Sequence, residues 1–193
     1  MTALPKQTMV TPDEYLSMER ASEVRHEYHD GEVFEMAGAS EAHVIICWNI
    51  SSMLHSMFKG RPCKAYLSDM RLHVTSTGLY TYPDISVVCG KAEFLEDTNP
   101  DTLINPTVIF EVLSPSTANY DRGDKFEHYR EIDSLKEYVL IWQDKKRAAR
   151  FTRQPDNTWL LADFIGEDAV IDLLSLSCSV SMSDIYDKVE FTT

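Results

Sequence analysis

Residues 82–84 read Tyr-Pro-Asp, and residues 109–113 read Ile-Phe-Glu-Val-Leu. Each carboxylate lies in or beside an apolar, β-branched run that is typical of a buried strand. A buried carboxylate without a partner is costly, so proteins usually neutralise it with a metal ion, a basic side chain or a proton. Asp84 and Glu111 lie at the rims of two strands that could be neighbours. They therefore predict a site for a divalent cation.

A lysine completes this set of candidate residues. Lys125 lies near the start of a helix-like run at residues 121–130, and two acids with one lysine are the smallest set for metal-assisted phosphodiester hydrolysis. We assign Asp84 and Glu111 as side-chain ligands of Mg²⁺ or Mn²⁺, and the carbonyl of Val112 as a third ligand, because these ions prefer oxygen. Lys125 would orient or deprotonate the attacking water, or stabilise the pentavalent phosphorus. The alternative is a salt bridge that merely closes a sheet edge.

Length and composition favour one domain spanning residues 1–193. The chain is 44% hydrophobic, which suffices for a full core. No apolar run approaches the roughly 20 residues needed to span a bilayer, and the N-terminus lacks the pattern of a signal peptide. The cysteines are scattered, without the spacing of a metal site, so we expect reduced thiols in a cytoplasmic protein. They are Cys47, Cys63, Cys89 and Cys178.

The net charge of −13 counts against nucleic-acid binding, because neutralisation of phosphates supplies much of the affinity of such proteins. A nuclease can still be acidic overall if positive charge is concentrated at its cleft and metal ions offset its acids. The one dense basic run, Lys145-Lys146-Arg147, is expected on a hairpin turn as solvated charge. The charge weakens the nuclease interpretation without excluding it.

Capping residues predict where helices begin. Thr11, with Glu14 three residues later, forms a capping box that begins a short helix. Ser40 is expected to cap a longer helix that runs to about Phe58. Asp121 is expected as the N-cap of the helix that carries Lys125. A closing helix is predicted over residues 183–189 with Ser183 as its cap.

Alternating apolar residues and turn signals predict the strands. Asp30-Gly31 predicts the turn of a hairpin over residues 23–36. Helices interspersed with strands of mixed direction indicate an α/β or α+β domain. Further strands are predicted near residues 63–67, 70–75, 84–89, 107–113, 138–142, 148–153, 159–164 and 170–174.

Several short motifs follow one another along the chain: residues 27–32, His43, Asp69 with Arg71, residues 82–85, 111–117 and 121–125, Tyr129, and residues 137–138. Their order and spacing resemble the Uma-two family of bacterial endonucleases, over roughly residues 8–190. The resemblance implies the restriction-endonuclease-like PD-(D/E)XK fold, a mixed central sheet flanked by helices with antiparallel hairpins. It also implies a nuclease site.

One position departs from the PD-(D/E)XK pattern. The lysine expected two places after Glu111 is replaced by Leu113. In the family that this chain resembles, the lysine is supplied by the following helix, which here carries Lys125. The resemblance therefore implies a migrated lysine.

Four more side chains are candidates for supporting roles. The resemblance places His43 beside the active centre, although a lone histidine on an apolar helix face is more often a core residue. Glu27 is either an extra acid near the metal or a solvated strand charge. Tyr129 follows Lys125 by four residues, on the same helix face, and either packs beside the lysine or belongs to the core. Asp121 is expected to cap its helix.

Two functions from different classes fit these residues. The first is a Mg²⁺-dependent DNA endonuclease that acts as a homodimer, so that two sites address two strands. The second is a catalytically silent module that uses the nuclease fold to bind a nucleic acid or a protein partner. Hydrolysis of small phosphoesters is a third candidate. The retained Asp84, Glu111 and Lys125 favour the first, whereas the acidic charge and Leu113 favour the second.

Overall fold

The structure is a computed structural model, and it describes residues 9–96, 99–115 and 117–191. Its helices and strands alternate, as expected for a mixed α+β protein. In chain order they are α1 (Pro12–Ala21), β1 (His26–His29), β2 (Glu32–Glu35), α2 (Glu41–Met57), β3 (Cys63–Leu67), β4 (Arg71–Val74), β5 (Leu79–Thr81), β6 (Ile85–Cys89), β7 (Thr102–Leu103), β8 (Val108–Leu113), α3 (Ala118–Arg122), α4 (Asp124–Tyr129), β9 (Glu137–Trp142), β10 (Arg147–Arg153), β11 (Trp159–Ile165), β12 (Val170–Leu173), β13 (Cys178–Ser181) and α5 (Met182–Ile185).

A six-stranded mixed sheet forms the centre of the fold, with the strand order β11-β10-β9-β8-β6-β3. Strand β8 runs parallel to β9 and antiparallel to β6. The other neighbours pair antiparallel, and β9, β10 and β11 form an antiparallel meander. The predicted mixed central sheet with antiparallel hairpins is confirmed.

Helices cover both faces of this sheet. Ile46 and Ile50 of α2 pack over one face against Phe110 of β8. On the other face, Tyr129 of α4 packs with Ile109. Successive strand residues point to opposite faces, so Phe110 joins the α2 side while Glu111 faces the side of α4. This alternation brings Glu111 towards the helix that carries the candidate lysine.

A second, five-stranded sheet has the order β2-β1-β5-β4-β7. Its hairpin turns at Asp30 and Gly31, whose φ angles of 48° and 84° are both in the left-handed region, as the favoured two-residue hairpin turn requires. Tyr28 of β1 lies opposite Tyr80 of β5, and its ring stacks on Tyr15 of α1 with centroids 5.0 Å apart. These contacts fix β1 beside β5. They therefore also determine the position of Glu27, which precedes Tyr28 on β1.

The capping signals located most helix starts but not all. The Thr11 capping box and the Ser40 cap are present. Asp121 does not cap a helix: α3 already begins at Ala118, and Asp121 is buried inside it. The closing helix is α5, which ends at Ile185, and Ser181 rather than Ser183 caps it by accepting the Asp184 N–H. The sequence patterns do not predict strands β5, β7 and β13.

Two cysteines differ from expectation. Cys63 and Cys89 lie directly opposite each other on β3 and β6, with Cα atoms 4.0 Å apart, and their sulfurs are bonded. The expectation of reduced thiols is therefore wrong for this pair, because antiparallel register brings together residues 26 positions apart. Cys47 and Cys178 are free. Within the described residues, no helix combines the length and apolar character needed to cross a membrane.

Candidate catalytic and metal-binding site

Asp84 and Glu111 lie side by side where β6 begins. Strands β6 and β8 are neighbours in the register Ile85 opposite Phe110, so Asp84 and Glu111 flank this pair. The Asp84 N–H points to Glu111 Oε2 at 3.3 Å. The Val112 N–H donates to Asp84 Oδ2 at 2.7 Å. The structure thus brings together the two acids that the sequence selected as ligands.

Glu111 is held by two side chains of α4. All of β8 is buried, and only 4% of Glu111 is exposed. The Tyr129 hydroxyl donates to Glu111 Oε1 at 2.8 Å, and Lys125 Nζ lies 3.1 Å from the same oxygen. Tyr129 therefore contacts the acid itself, a role beyond packing beside the lysine.

Lys125 is the centre of a buried ion-pair cluster. Besides Glu111, its ammonium lies 3.2 Å from Glu27 Oε1 and 3.4 Å from Asp121 Oδ1. Asp121 and Lys125 are four residues apart, so they lie on one face of the α3–α4 segment even though Gly123 interrupts it. Glu27 is an acid of the site rather than a solvated strand charge. The same oxygen of Glu27 accepts a hydrogen bond from the Thr81 hydroxyl on β5.

His43 joins the site through Asp84. It lies in the first turn of α2, which Ser40 caps, and its Nε2 is 3.0 Å from Asp84 Oδ1. Burial lowers the pKa of His43, but the hydrogen bond and the negative charge of Asp84 outweigh burial, so the pKa lies above its ordinary value. The imidazole thus orients the carboxylate that the sequence assigned to a metal.

The electrostatics of the cluster show an excess of acid. Burial raises the pKa of Glu111 to about 8, opposed by Lys125 and reinforced by the charges of Asp84 and Asp121. Burial alone would lower the pKa of Lys125, yet Glu111, Glu27 and other neighbours keep it well above its ordinary value. One permanent cation therefore faces several carboxylates, a surplus that a divalent cation would neutralise.

The donor set suits a hard divalent cation. Asp84 and Glu111 present carboxylate oxygens close together, and Mg²⁺ is usually held by one or two carboxylates with water in its other positions. Val112 contacts Asp84 through its backbone N–H, and ligation by its carbonyl stays a prediction. Burial raises the pKa of the nearby Cys47 thiol, and the charges of Asp84 and Glu111 raise it further.

The basic run on the β9–β10 turn is compensated by acids. Lys146 Nζ lies 2.9 Å from Glu167, and Arg147 lies 2.9 Å from Asp163. Lys145 is 3.8 Å from its neighbour in sequence. This turn therefore carries little uncompensated positive charge, which agrees with the solvated role expected for it.

Local sequence patterns do not identify Asp121 and Cys47 as neighbours of the candidate ligands, and they leave the role of Glu27 open. Asp121 was expected as a cap, although its four-residue spacing to Lys125 is the signal of an ion pair on one helix face. Cys47 follows His43 by four residues on α2, although the sequence predicts only a reduced thiol without a metal site at this position. Glu27 had no local signal, because only the pairing of β1 with β5 brings it to the site.

A model of the Uma2 family, described as “Putative restriction endonuclease”, matches residues 12–183. The chain belongs to this family. Two proteins from Synechocystis sp. (strain ATCC 27184 / PCC 6803 / Kazusa) are similar in sequence to this Uma2 chain. Uncharacterized protein sll1609 is 36% identical over 164 residues, covering 85% of this chain and 92% of its own length. Uncharacterized protein slr1290 is 31% identical over 182 residues, covering 94% of each.

A solved structure has the same fold as this Uma2 chain. It is the crystal structure of a putative nuclease belonging to DUF820 from Anabaena variabilis ATCC 29413, with a TM-score of 0.77. The match covers 94% of this chain and 99% of that one, at 23% sequence identity. The family and the nuclease-like fold implied by the sequence motifs are both confirmed.

Proposed function

We propose that this protein is a Mg²⁺-dependent DNA endonuclease that hydrolyses phosphodiester bonds, with Mn²⁺ as a substitute for Mg²⁺. The observation that carries the proposal is that Glu111 lies between the other two residues: the Asp84 N–H points to its Oε2, and the Lys125 ammonium lies 3.1 Å from its Oε1. Membership in the family whose model is described as “Putative restriction endonuclease” supports it. In this proposal residues 1–193 form one catalytic domain.

Asp84 and Glu111 would hold the cation, with the Val112 carbonyl as a third ligand. When bound, Mg²⁺ would lower the pKa of a water molecule and draw charge from a phosphate oxygen. His43 keeps Asp84 in place by the 3.0 Å contact between Nε2 and Oδ1. Tyr129 does the same for Glu111 from the opposite side.

Lys125 acts as a fixed positive charge in this proposal. Three carboxylates surround its ammonium within 3.4 Å, and they keep it protonated, so it is poorly suited to accept a proton from water. A protonated lysine beside Glu111 is suited to stabilise the charge that develops on a phosphate in the transition state. Of the roles considered for this lysine, electrostatic stabilisation therefore fits its surroundings best.

The substrate can approach Asp84 from a cavity of about 500 Å³. His43, Asp84 and Trp48 of α2 are among the residues that line this cavity. The net charge of −13 predicts weak binding of DNA at physiological salt. We propose that a homodimer in the cytoplasm compensates for this weakness, since two sites would then address two strands together.

The second candidate is a silent module that binds a nucleic acid or a protein partner. Leu113 stands where the superfamily pattern has a lysine, and it is buried in the apolar core. That position therefore supplies no charge to the site. This observation favours the silent alternative, and cleavage assays separate the two candidates.

The test is cleavage of supercoiled plasmid by the purified protein with Mg²⁺ or Mn²⁺ at low salt. The parent should nick the plasmid, whereas Glu111→Gln and Lys125→Met should not. The control is Lys188→Met, because Lys188 is an exposed lysine with 84% of its side chain accessible. Cleavage by Lys125→Met at the parent's rate would refute the role of the lysine. No cleavage by the parent of single- or double-stranded DNA would favour the silent module.

A further inference from the structure

We propose that His43, Cys47 and Asp84 form a separate metal subsite that takes a borderline divalent cation such as Zn²⁺ or Co²⁺. The subsite shares Asp84 with the proposed Mg²⁺ site but uses nitrogen and sulfur for its other ligands. It does not require that the protein cleave DNA. Its test therefore measures binding of the metal ion and not cleavage of DNA.

The geometry of α2 brings the first two ligands together. His43 and Cys47 are four residues apart, so both side chains lie on one helix face. One donor atom from each, with one oxygen of Asp84, lie within 4.8 Å of one another. His43 Nε2 and Asp84 Oδ1 are already 3.0 Å apart.

These separations are close to those around a bound ion. Zinc bonds of about 2.0 Å to nitrogen and oxygen, and of about 2.3 Å to sulfur, place tetrahedral ligand atoms roughly 3.3–3.6 Å apart. The separations of up to 4.8 Å between the donor atoms therefore have to shorten by roughly one ångström. Rotation of the Cys47 side chain can bring its sulfur closer by that amount. The histidine–aspartate hydrogen bond would then be replaced by two bonds to the ion. The Cys47 thiol and His43 Nε2 would give up their protons to solvent, because thiolate and unprotonated imidazole nitrogen are the forms that bind a metal.

The subsite is open to solvent on one side. His43, Cys47 and Asp84 all line the cavity of about 500 Å³, and each is only partly buried. An ion therefore has a path to its ligands. Three protein ligands with an accessible fourth position are the arrangement of catalytic zinc sites, whereas structural zinc sites are closed by four protein ligands.

The ligand chemistry separates this subsite from the proposed Mg²⁺ site. Mg²⁺ selects oxygen ligands, whereas a thiolate and an imidazole select zinc and similar transition metals. Both sites need Asp84, so one ion should displace the other. The remaining ligands differ: Glu111 belongs to the Mg²⁺ site and Cys47 to the second subsite.

The test uses Co²⁺ as a spectroscopic probe on the purified full chain, without a thiol reductant so that Cys63 and Cys89 stay bonded. We expect one equivalent of Co²⁺ to produce a thiolate-to-cobalt charge-transfer band in the near ultraviolet. Cys47→Ser should abolish the band. Cys178→Ser is the matched control, since Cys178 is the other free cysteine in the described part of the chain, and it should keep the band at full intensity.

Glu111→Gln separates this proposal from the proposed function. It should keep the cobalt–thiolate band while losing Mn²⁺ binding measured by electron paramagnetic resonance. In the parent, Zn²⁺ should displace Mn²⁺, and Cys47→Ser should need at least ~10-fold more Zn²⁺ to do so, since even an outer-shell partner contributes that much. A parent without the band, or an unchanged band in Cys47→Ser, would overturn the subsite, whatever the protein does to DNA.

Discussion

Two buried glutamates lie on the adjacent parallel strands β8 and β9, and their surroundings differ sharply. Glu137 is fully buried and accepts the backbone N–H groups of Leu174 and Ser175 at 3.1 and 2.9 Å, as well as the Ser175 hydroxyl. Arg150 lies 3.7 Å from it. Glu111 shares its one lysine with other acids. Both carboxylates accept hydrogen bonds and lie near a cation, but the cation beside Glu111 is shared with Glu27 and Asp121.

This difference teaches that burial of a carboxylate does not by itself identify a functional site. Charge-assisted hydrogen bonds from backbone N–H groups stabilise a carboxylate wherever it stands, so Glu137 is explained by the fold alone. Glu111 is not, because burial and the acids around it raise its pKa to about 8. A buried acid whose pKa is strongly raised identifies a candidate functional site.

Removal of Glu137 should have the largest effect on stability. Glu137→Ala leaves Arg150 and the N–H groups of Leu174 and Ser175 without their partner, so we expect a loss of ~3–5 kcal/mol in the free energy of unfolding. Urea denaturation measures this loss. Glu167→Ala, which removes an exposed partner of Lys146, should cost under ~1 kcal/mol. Equal losses in both variants would contradict a structural role for Glu137.

Replacement of Lys125 should have the next largest effect on stability. Lys125→Met keeps the length of the buried stem but removes the cation that three carboxylates share. We expect a loss of ~2–3 kcal/mol without divalent ions, below the ~3–5 kcal/mol of a fully broken buried pair, because Glu111 can take up a proton.

The ion dependence of this variant sharpens the prediction. Saturating Mg²⁺ should restore more stability to Lys125→Met than it adds to the parent, since binding to the folded state stabilises it. Thermal unfolding with and without Mg²⁺ measures both effects. A variant that loses stability and gains nothing from Mg²⁺ would make the lysine a purely structural partner.

Glu111→Gln should behave oppositely to Glu137→Ala. Because the pKa of Glu111 is raised from 4.5 to about 8 on folding, the folded parent holds an extra proton between these values. The contribution of Glu111 to the free energy of unfolding is therefore fully present below pH 4.5 and falls as the pH rises towards 8. We expect Glu111→Gln to match the parent at low pH and to be ~1–2 kcal/mol more stable at pH 8 in EDTA. Urea unfolding at both pH values decides; a large loss at pH 8 would count against the metal site.

Much of this comparison lies beyond the reach of local sequence patterns. Residues 137–142 read Glu-Tyr-Val-Leu-Ile-Trp, so Glu137 has the same setting as Glu111, an acid in an apolar strand. Its compensating donors come from Leu174 and Ser175, which lie 37 and 38 residues later. Only the folded chain shows which of the two acids has a cation to itself.

The parts that the sequence did predict depend on local chemistry. The Thr11 capping box, the Asp30-Gly31 turn and the apolar strands follow from residues within a few positions of one another. Asp84 could be selected because its apolar neighbours in sequence predict burial, and burial of a carboxylate without a partner is costly. The disulfide between Cys63 and Cys89 depends on strand pairing, which no local pattern specifies.

The smallest effect should come from the Tyr129 hydroxyl. It donates to Glu111 at 2.8 Å and lowers the pKa of that acid, against the larger effect of burial. Tyr129→Phe should therefore cost ~0.5–1.5 kcal/mol, and more at pH 9, where Glu111 is ionised, than at pH 6. Tyr186→Phe is the matched control, because its hydroxyl bonds to the carbonyls of Trp142 and Arg147, so its cost should not change between these pH values. An equal pH dependence in both variants would show that Glu111 does not titrate in this range.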